Sequence, residues 1–209
     1  MRTFAVPFLM SGLLVLGCGP AGTRVSSEPD PEGAPREQTS SLVPAGFGTL
    51  LQDQISLRLQ SGQLLIKLTP LEEGIIRLTA PDTYNRLKGL AQVHGPRAAR
   101  TSLGVERSLF LVSLFSYEPD VTYEPEDLRL VNRGLRLRPE GIAPITPSWG
   151  TQRLGQQETR MAVYAFPGDI EWESELIAEY QQLRNESWRD QILPLLEAEK
   201  AKVRARSGG

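Results

Sequence analysis

Apolar and polar residues alternate along residues 55–69, and a two-residue period is the mark of extended chain with one buried face. In Ile55-Ser-Leu-Arg-Leu-Gln60 the residues Ile55, Leu57 and Leu59 share a face. After a Ser61-Gly62 turn, Leu64, Ile66 and Leu68 fall in step, so the pattern predicts a β-hairpin. Ile75-Ile-Arg-Leu-Thr79, following a Glu72-Glu73-Gly74 turn, reads as a third short strand. Pro81-Asp82 then opens a helix expected to reach about Val93, with Tyr84, Leu87, Leu90 and Ala91 at helical spacing. Gly89 weakens that helix, and residues 94–105 read as a loop.

Further along, Leu109-Phe-Leu-Val-Ser-Leu-Phe115 is apolar on both faces, which suits a central strand of a packed sheet. Residues 117–125, carrying Pro119 and Pro125, form a connection. Asp127–Val131, Leu135–Arg138 after an Asn132-Arg133-Gly134 turn, Arg160–Phe166 and Glu175–Tyr180 read as further strands. Short strands parted by turn signals predict an antiparallel sandwich. Ser187-Trp-Arg-Asp190 is a capping-box-like start to a last helix through Arg204, although Pro194 shifts the expected start toward Leu193.

The first residues follow another pattern. Arg2 precedes an apolar run from Phe4 to Leu16, well short of the roughly 20 residues that a spanning helix needs. The run ends in Val15-Leu16-Gly17-Cys18, which resembles the lipobox of bacterial lipoproteins. That resemblance implies diacylglycerol on the Cys18 thiol, cleavage before Cys18 by signal peptidase II, and acylation of the new amine. Two or three acyl chains anchor stably where one holds only marginally. Val15 departs from the commoner Leu at its place, and Gly19 stands where an inner-membrane retention signal would have Asp. The lipobox reading therefore implies anchoring in the outer membrane, facing the periplasm. The alternative is a plain secretory signal with an incidental cysteine. Residues 19–46 lack aromatics and are rich in Gly, Pro, Ser and Glu, a composition that cannot bury enough apolar area to offset ordering and predicts a disordered tether.

The order of features from Leu109 to Tyr180 is similar to Ig-like β-sandwich domains of uncharacterised bacterial envelope lipoproteins. The shared features are an apolar strand, a Tyr123-Glu-Pro-Glu-Asp-Leu128 entry and a Gly-centred hairpin, then a proline-rich loop and an aromatic strand ending in Phe166-Pro-Gly168. The expected fold is mainly β: an antiparallel Ig-like β-sandwich with an added N-terminal β/α element and a C-terminal helix. The expected divisions are a signal peptide at 1–17, a lipidated tether at 18–46, a hairpin and helix region at 47–105, and the sandwich at 106–209.

Composition narrows the chemistry. With 40% hydrophobic and 23% charged residues the chain has an ordinary globular balance. A formal net charge of −2 offers no reason to expect nucleic acid as a partner. The single cysteine, Cys18, excludes an intramolecular disulfide, and the single histidine, His94, excludes a multi-histidine metal site. No cofactor is expected. His94 lies in Val93-His94-Gly95-Pro96, which reads as a helix end and a structural place. There is no Gly-x-Ser-x-Gly elbow and no phosphate loop. Asp169, Glu171, Glu173 and Glu175 alternate along one segment, which predicts a solvated face more than a catalytic pair or a calcium site.

Trp149 sits in a rigid apolar loop, Ile142-Ala-Pro-Ile-Thr-Pro-Ser-Trp-Gly150, where it either faces a partner or folds back over the sandwich. Trp172 and Trp188 read as core. The leading functional expectation is a non-enzymatic binding or scaffolding module with two partners, the membrane through its lipid and another envelope protein. Two alternatives stand beside it. One is an accessory subunit of a transport or assembly complex that docks through its last helix. The other is a hydrolase built on Glu72, Glu73 and Asp82.

Overall fold

The computed structural model describes residues 42–99, 107–168 and 170–207. The alternating segments build two antiparallel sheets. The larger joins β1 (Leu57–Gln60), β2 (Leu64–Pro70), β3 (Arg107–Ser116), β9 (Thr159–Pro167) and β7 (Gly141–Pro144), in that order. The smaller runs β11 (Leu183–Asn185), β10 (Leu176–Tyr180), β5 (Leu128–Asn132), β6 (Leu135–Leu137). A short ribbon pairs β4 (Val121–Thr122) with β8 (Arg153–Leu154). The fold is therefore mainly β and antiparallel, and it closes with a helix, α3 (Leu193–Ser207).

Register puts the even-numbered residues of β2, β3 and β9 on one face, with Ile66 opposite Leu114 and Phe110 opposite Tyr164. That face meets the smaller sheet. Ile66, Val112 and Tyr164 come together with Leu128 and Tyr180, and the Tyr164 hydroxyl donates to the Pro125 carbonyl at 3.0 Å. Trp172 links the larger sheet to the segment that enters the last helix, its ring centroid 5.6 Å from Phe110 and 5.7 Å from Trp188. The β1–β2 hairpin forms as its alternation predicts, with Leu57 and Leu59 buried. β3 is central, as its apolar run on both faces requires. Because β2 pairs along its length with β3, the region expected at 47–105 and the strands that follow share one sheet.

The opposite face of the larger sheet is covered by α2 (Pro81–Ala98), which runs five residues beyond the stop expected at Val93. Gly95 and Pro96 read as a terminator, yet packing carries the helix through them. A Cβ on Gly95 would stand 2.7 Å from the Leu109 side chain, and one on Gly141 would stand 1.8 Å from the Ala98 carbonyl oxygen. The missing side chains let the helix end lie directly on β3 and β7.

Three further expectations are corrected. Ile75–Thr79 is not a strand. Glu73–Ile76 forms one helical turn, α1, whose amides at Ile76 and Arg77 donate to the Glu72 and Glu73 carbonyls. Adjacent Ile75 and Ile76 are both buried, which a helical turn allows and a half-buried strand does not. Residues 42–46, expected at the end of the tether, are packed. Val43 is buried, and its carbonyl accepts from Arg77 at 3.1 Å. The acidic stretch at 171–175 is a turn and not an extended segment. Ser174 donates its amide to the Glu171 carbonyl, and the buried Asn132 amide donates to the carbonyls of Glu171 and Glu175 while accepting from the Glu171 amide.

The last helix enters through a π turn, Trp188–Ile192, with the Leu193 amide bonded to the Trp188 carbonyl. Widening the turn by one residue lets Pro194, which has no amide hydrogen, follow without breaking the segment.

Candidate functional site

The outer face of the smaller sheet carries side chains that the alternation does not bury. Arg184, Glu179 and Arg129 are cross-strand neighbours in one row across β11, β10 and β5. Arg136 on β6 stands in the next row, opposite Val131. Together with Asp127, Gln181, Gln182 and Leu183 they line a groove of about 300 Å³. Glu179, 13% exposed, is gripped from both sides. Arg136 reaches it with Nε at 3.0 Å and Nη2 at 3.4 Å, and Arg184 reaches it with Nη1 at 3.0 Å. Arg184 also pairs with Glu186.

Arg129 is different. Its Nε is buried and meets no acceptor. A desolvated donor left unmade costs about 1–3 kcal/mol, more for a charged group, so it marks the place where an acceptor is wanted. The groove rim turns at Gln181, which holds a left-handed φ of 51° that glycine or asparagine would adopt more readily. What these groups do chemically is present guanidinium N–H donors, which form charge-assisted bonds to oxyanions.

The residues singled out by sequence fall elsewhere. Cys18 and Asp169 lie outside the described residues. Trp149 is 4% exposed, with Tyr123 and Tyr164 rings at 5.4 and 6.1 Å. Its ring therefore closes the core and does not face a partner. Arg160 holds that loop down, bonding the Ser148 carbonyl and the Thr151 hydroxyl while its Nε pairs with Glu158 at 2.8 Å. His94 lies within α2, with a buried Nδ1 that has no partner among the described residues.

Glu72 caps α1, Glu73 opens it, and Asp82 stands on a different helix, α2. Glu73 accepts from Arg77 at 2.7 Å and from the Tyr84 hydroxyl at 2.8 Å. Burial alone would raise its pKa, but those bonds outweigh burial and hold it below the usual range. Asp82 is exposed in the first turn of α2. Glu171 pairs with Arg133 and Ser174 at the surface. Among the described residues no three His, Cys, Asp or Glu side chains cluster as metal ligands, and no helix is long and apolar enough to cross a membrane.

The leucines of residues 128–138 predict strands, and the arginines between them are not among the predicted site residues. Arg129 alternates with the core residues Leu128 and Leu130, which puts it on the outer face, whereas Leu135 beside Arg136 is itself exposed. That Arg184 and Glu179 join them depends on which strands are neighbours. No family model, curated protein or solved structure matches this chain, so the functional reading rests on its own geometry.

Proposed function

We propose that this chain is a bacterial envelope lipoprotein, held in the outer membrane by acyl chains on Cys18 and facing the periplasm. Its folded part is a non-enzymatic module that binds or scaffolds another envelope component. The observation that carries the binding part is the groove at Arg129, Arg136 and Arg184, with one arginine donor left without an acceptor. The Ig-like likeness belongs to the same proposal. It is supported by two antiparallel sheets sharing one core and by a Gly-centred hairpin whose Arg133 and Gly134 take φ of 53° and 75°. An accessory subunit that docks through its last helix is favoured by an exposed apolar stripe there. Leu196 and Val203 of α3 are buried instead, so that reading lacks its support.

The test has two arms. Metabolic labelling with a fatty-acid analogue is expected to mark the wild type and not Cys18→Ser, and equal labelling would overturn the anchor. In the second arm, a cross-linked partner of the wild type should be lost from Arg136→Gln/Arg184→Gln. Retention of every cross-linked product would remove the groove from the reading.

A further inference from the structure

We infer that the arginine-lined groove is a binding site for a phosphate group, presented by a lipid headgroup or by a free phosphate. The inference deepens the binding reading above and rests on it. An ordinary solvated sheet face matches each arginine with its own carboxylate across the strands. Here the row Arg184–Glu179–Arg129 offers two arginines one carboxylate, and Arg136 draws on that same carboxylate; Glu186 serves Arg184 from outside the row, and Asp127 also lines the groove. Glu179 is thus shared by Arg136 and Arg184, while Arg129 Nε faces no acceptor at all.

The donors available favour phosphate over a carboxylate. Each guanidinium carries five N–H donors, and a carboxylate has two oxygens to accept them. Arg136 spends Nε and Nη2 on Glu179, and Arg184 divides Nε and Nη1 between Glu186 and Glu179, so each keeps one terminal nitrogen unspent. A tetrahedral phosphate bound between Arg129 and the unspent donors of the other two would meet them with three or four oxygens from different directions. The Gln181 and Gln182 side chains at the rim, with amide donors and acceptors, suit the hydroxyls of a glycerol or sugar attached to that phosphate. A volume of about 300 Å³ accommodates such a group.

The experiment titrates the full chain, purified in neutral detergent, by calorimetry at fixed salt. The probes are inorganic phosphate, glycerol 3-phosphate as a soluble monoester headgroup, and citrate as the carboxylate control. One phosphate compound should bind at a single site, and Arg129→Gln should weaken it roughly tenfold or more, the loss of one charge-assisted contact pair. Arg184→Gln, on the exposed rim, should weaken it as well. Melting temperatures without ligand check that both variants fold. Preference for the monoester identifies a headgroup, and preference for inorganic phosphate identifies the free ion. Citrate binding as tightly as either phosphate would overturn the phosphate assignment, and so would the absence of binding or an unchanged affinity in Arg129→Gln. A partner lost from Arg136→Gln/Arg184→Gln while no phosphate binds would leave the binding reading standing and sink this one alone.

Discussion

Glu199 is a carboxylate with 1% of its surface exposed, on the inward face of α3 beside Leu196 and Val203. It accepts from the Thr49 amide at 3.0 Å and from the Thr49 hydroxyl at 2.8 Å, with Arg206 at 3.3 Å and Lys202 at 3.6 Å. Arg206 also donates to the Phe47 carbonyl at 2.9 Å, so this single side chain ties the first packed residues to the last helix. Burial by itself would raise the Glu199 pKa. The Thr49 bonds and the two cations outweigh it and hold the group below the ordinary glutamate range. A lowered folded pKa contributes stability that is present above the unfolded value, about 4.3, and is lost as pH falls through the folded one. Glu199→Gln should therefore cost about 1–3 kcal/mol at neutral pH and flatten the acid limb of stability, read by denaturant melts across the acid range. An acid limb of unchanged depth would assign it to other carboxylates, Glu73 first. Trp149→Ala belongs to the same scale. With the ring packed on Tyr123 and Tyr164, the expected loss is about 3–5 kcal/mol. The Tyr123 hydroxyl would keep its bond, since its acceptor is the backbone carbonyl at 149. A loss under about 1 kcal/mol would show that the loop does not seal the core.

Among the elements, α2 involves two glycines with opposite consequences, one within it and one facing its end. Gly89 has open space where a Cβ would stand, so Gly89→Ala should stabilise the protein by about 0.5–1 kcal/mol through helix propensity alone. Gly141 on β7 faces the helix end at Ala98, where an added Cβ would overlap a carbonyl. Backbone must move to admit it. Gly141→Ala should accordingly destabilise the protein, with hydrogen exchange rising first in the last turn of α2, residues 95–98. Uniform loss of protection across β3 and β9 as well would mean that the helix end has no separate seat. The helix thus shows where local rules stop deciding. Pro81 at its first position and the spacing of Tyr84, Leu87 and Leu90 were legible before folding, and they place its start. Its end was not, because the contacts of Gly95 with Leu109 and of Ala98 with Gly141 outweigh the breaking tendency of Gly95-Pro96.

The molecule as a whole should melt in one cooperative transition at a temperature indifferent to chelator and reductant, since its single cysteine and single histidine give neither a disulfide nor a histidine-rich metal site. A large fall in melting temperature with chelator would revive a cation site at Glu171 and Glu173. What the sequence alone determined was the presence of strands β1, β2, β3, β5 and β9, with the buried face of β1, β2 and β5 set by a two-residue period and β3 and β9 apolar on both faces. Periodicity is a local property, and Leu57, Leu64, Phe110 and Leu130 had only one way to reach a core. Tertiary structure decided whatever depends on neighbours distant in the chain. It turned Ile75-Ile76 into a helical turn because both side chains find apolar contact, and it folded Trp149 inward between two tyrosines. It also brought Arg129, Arg136 and Arg184 around one Glu179, since a two-residue period names the face a residue takes but not the strand that will lie beside it.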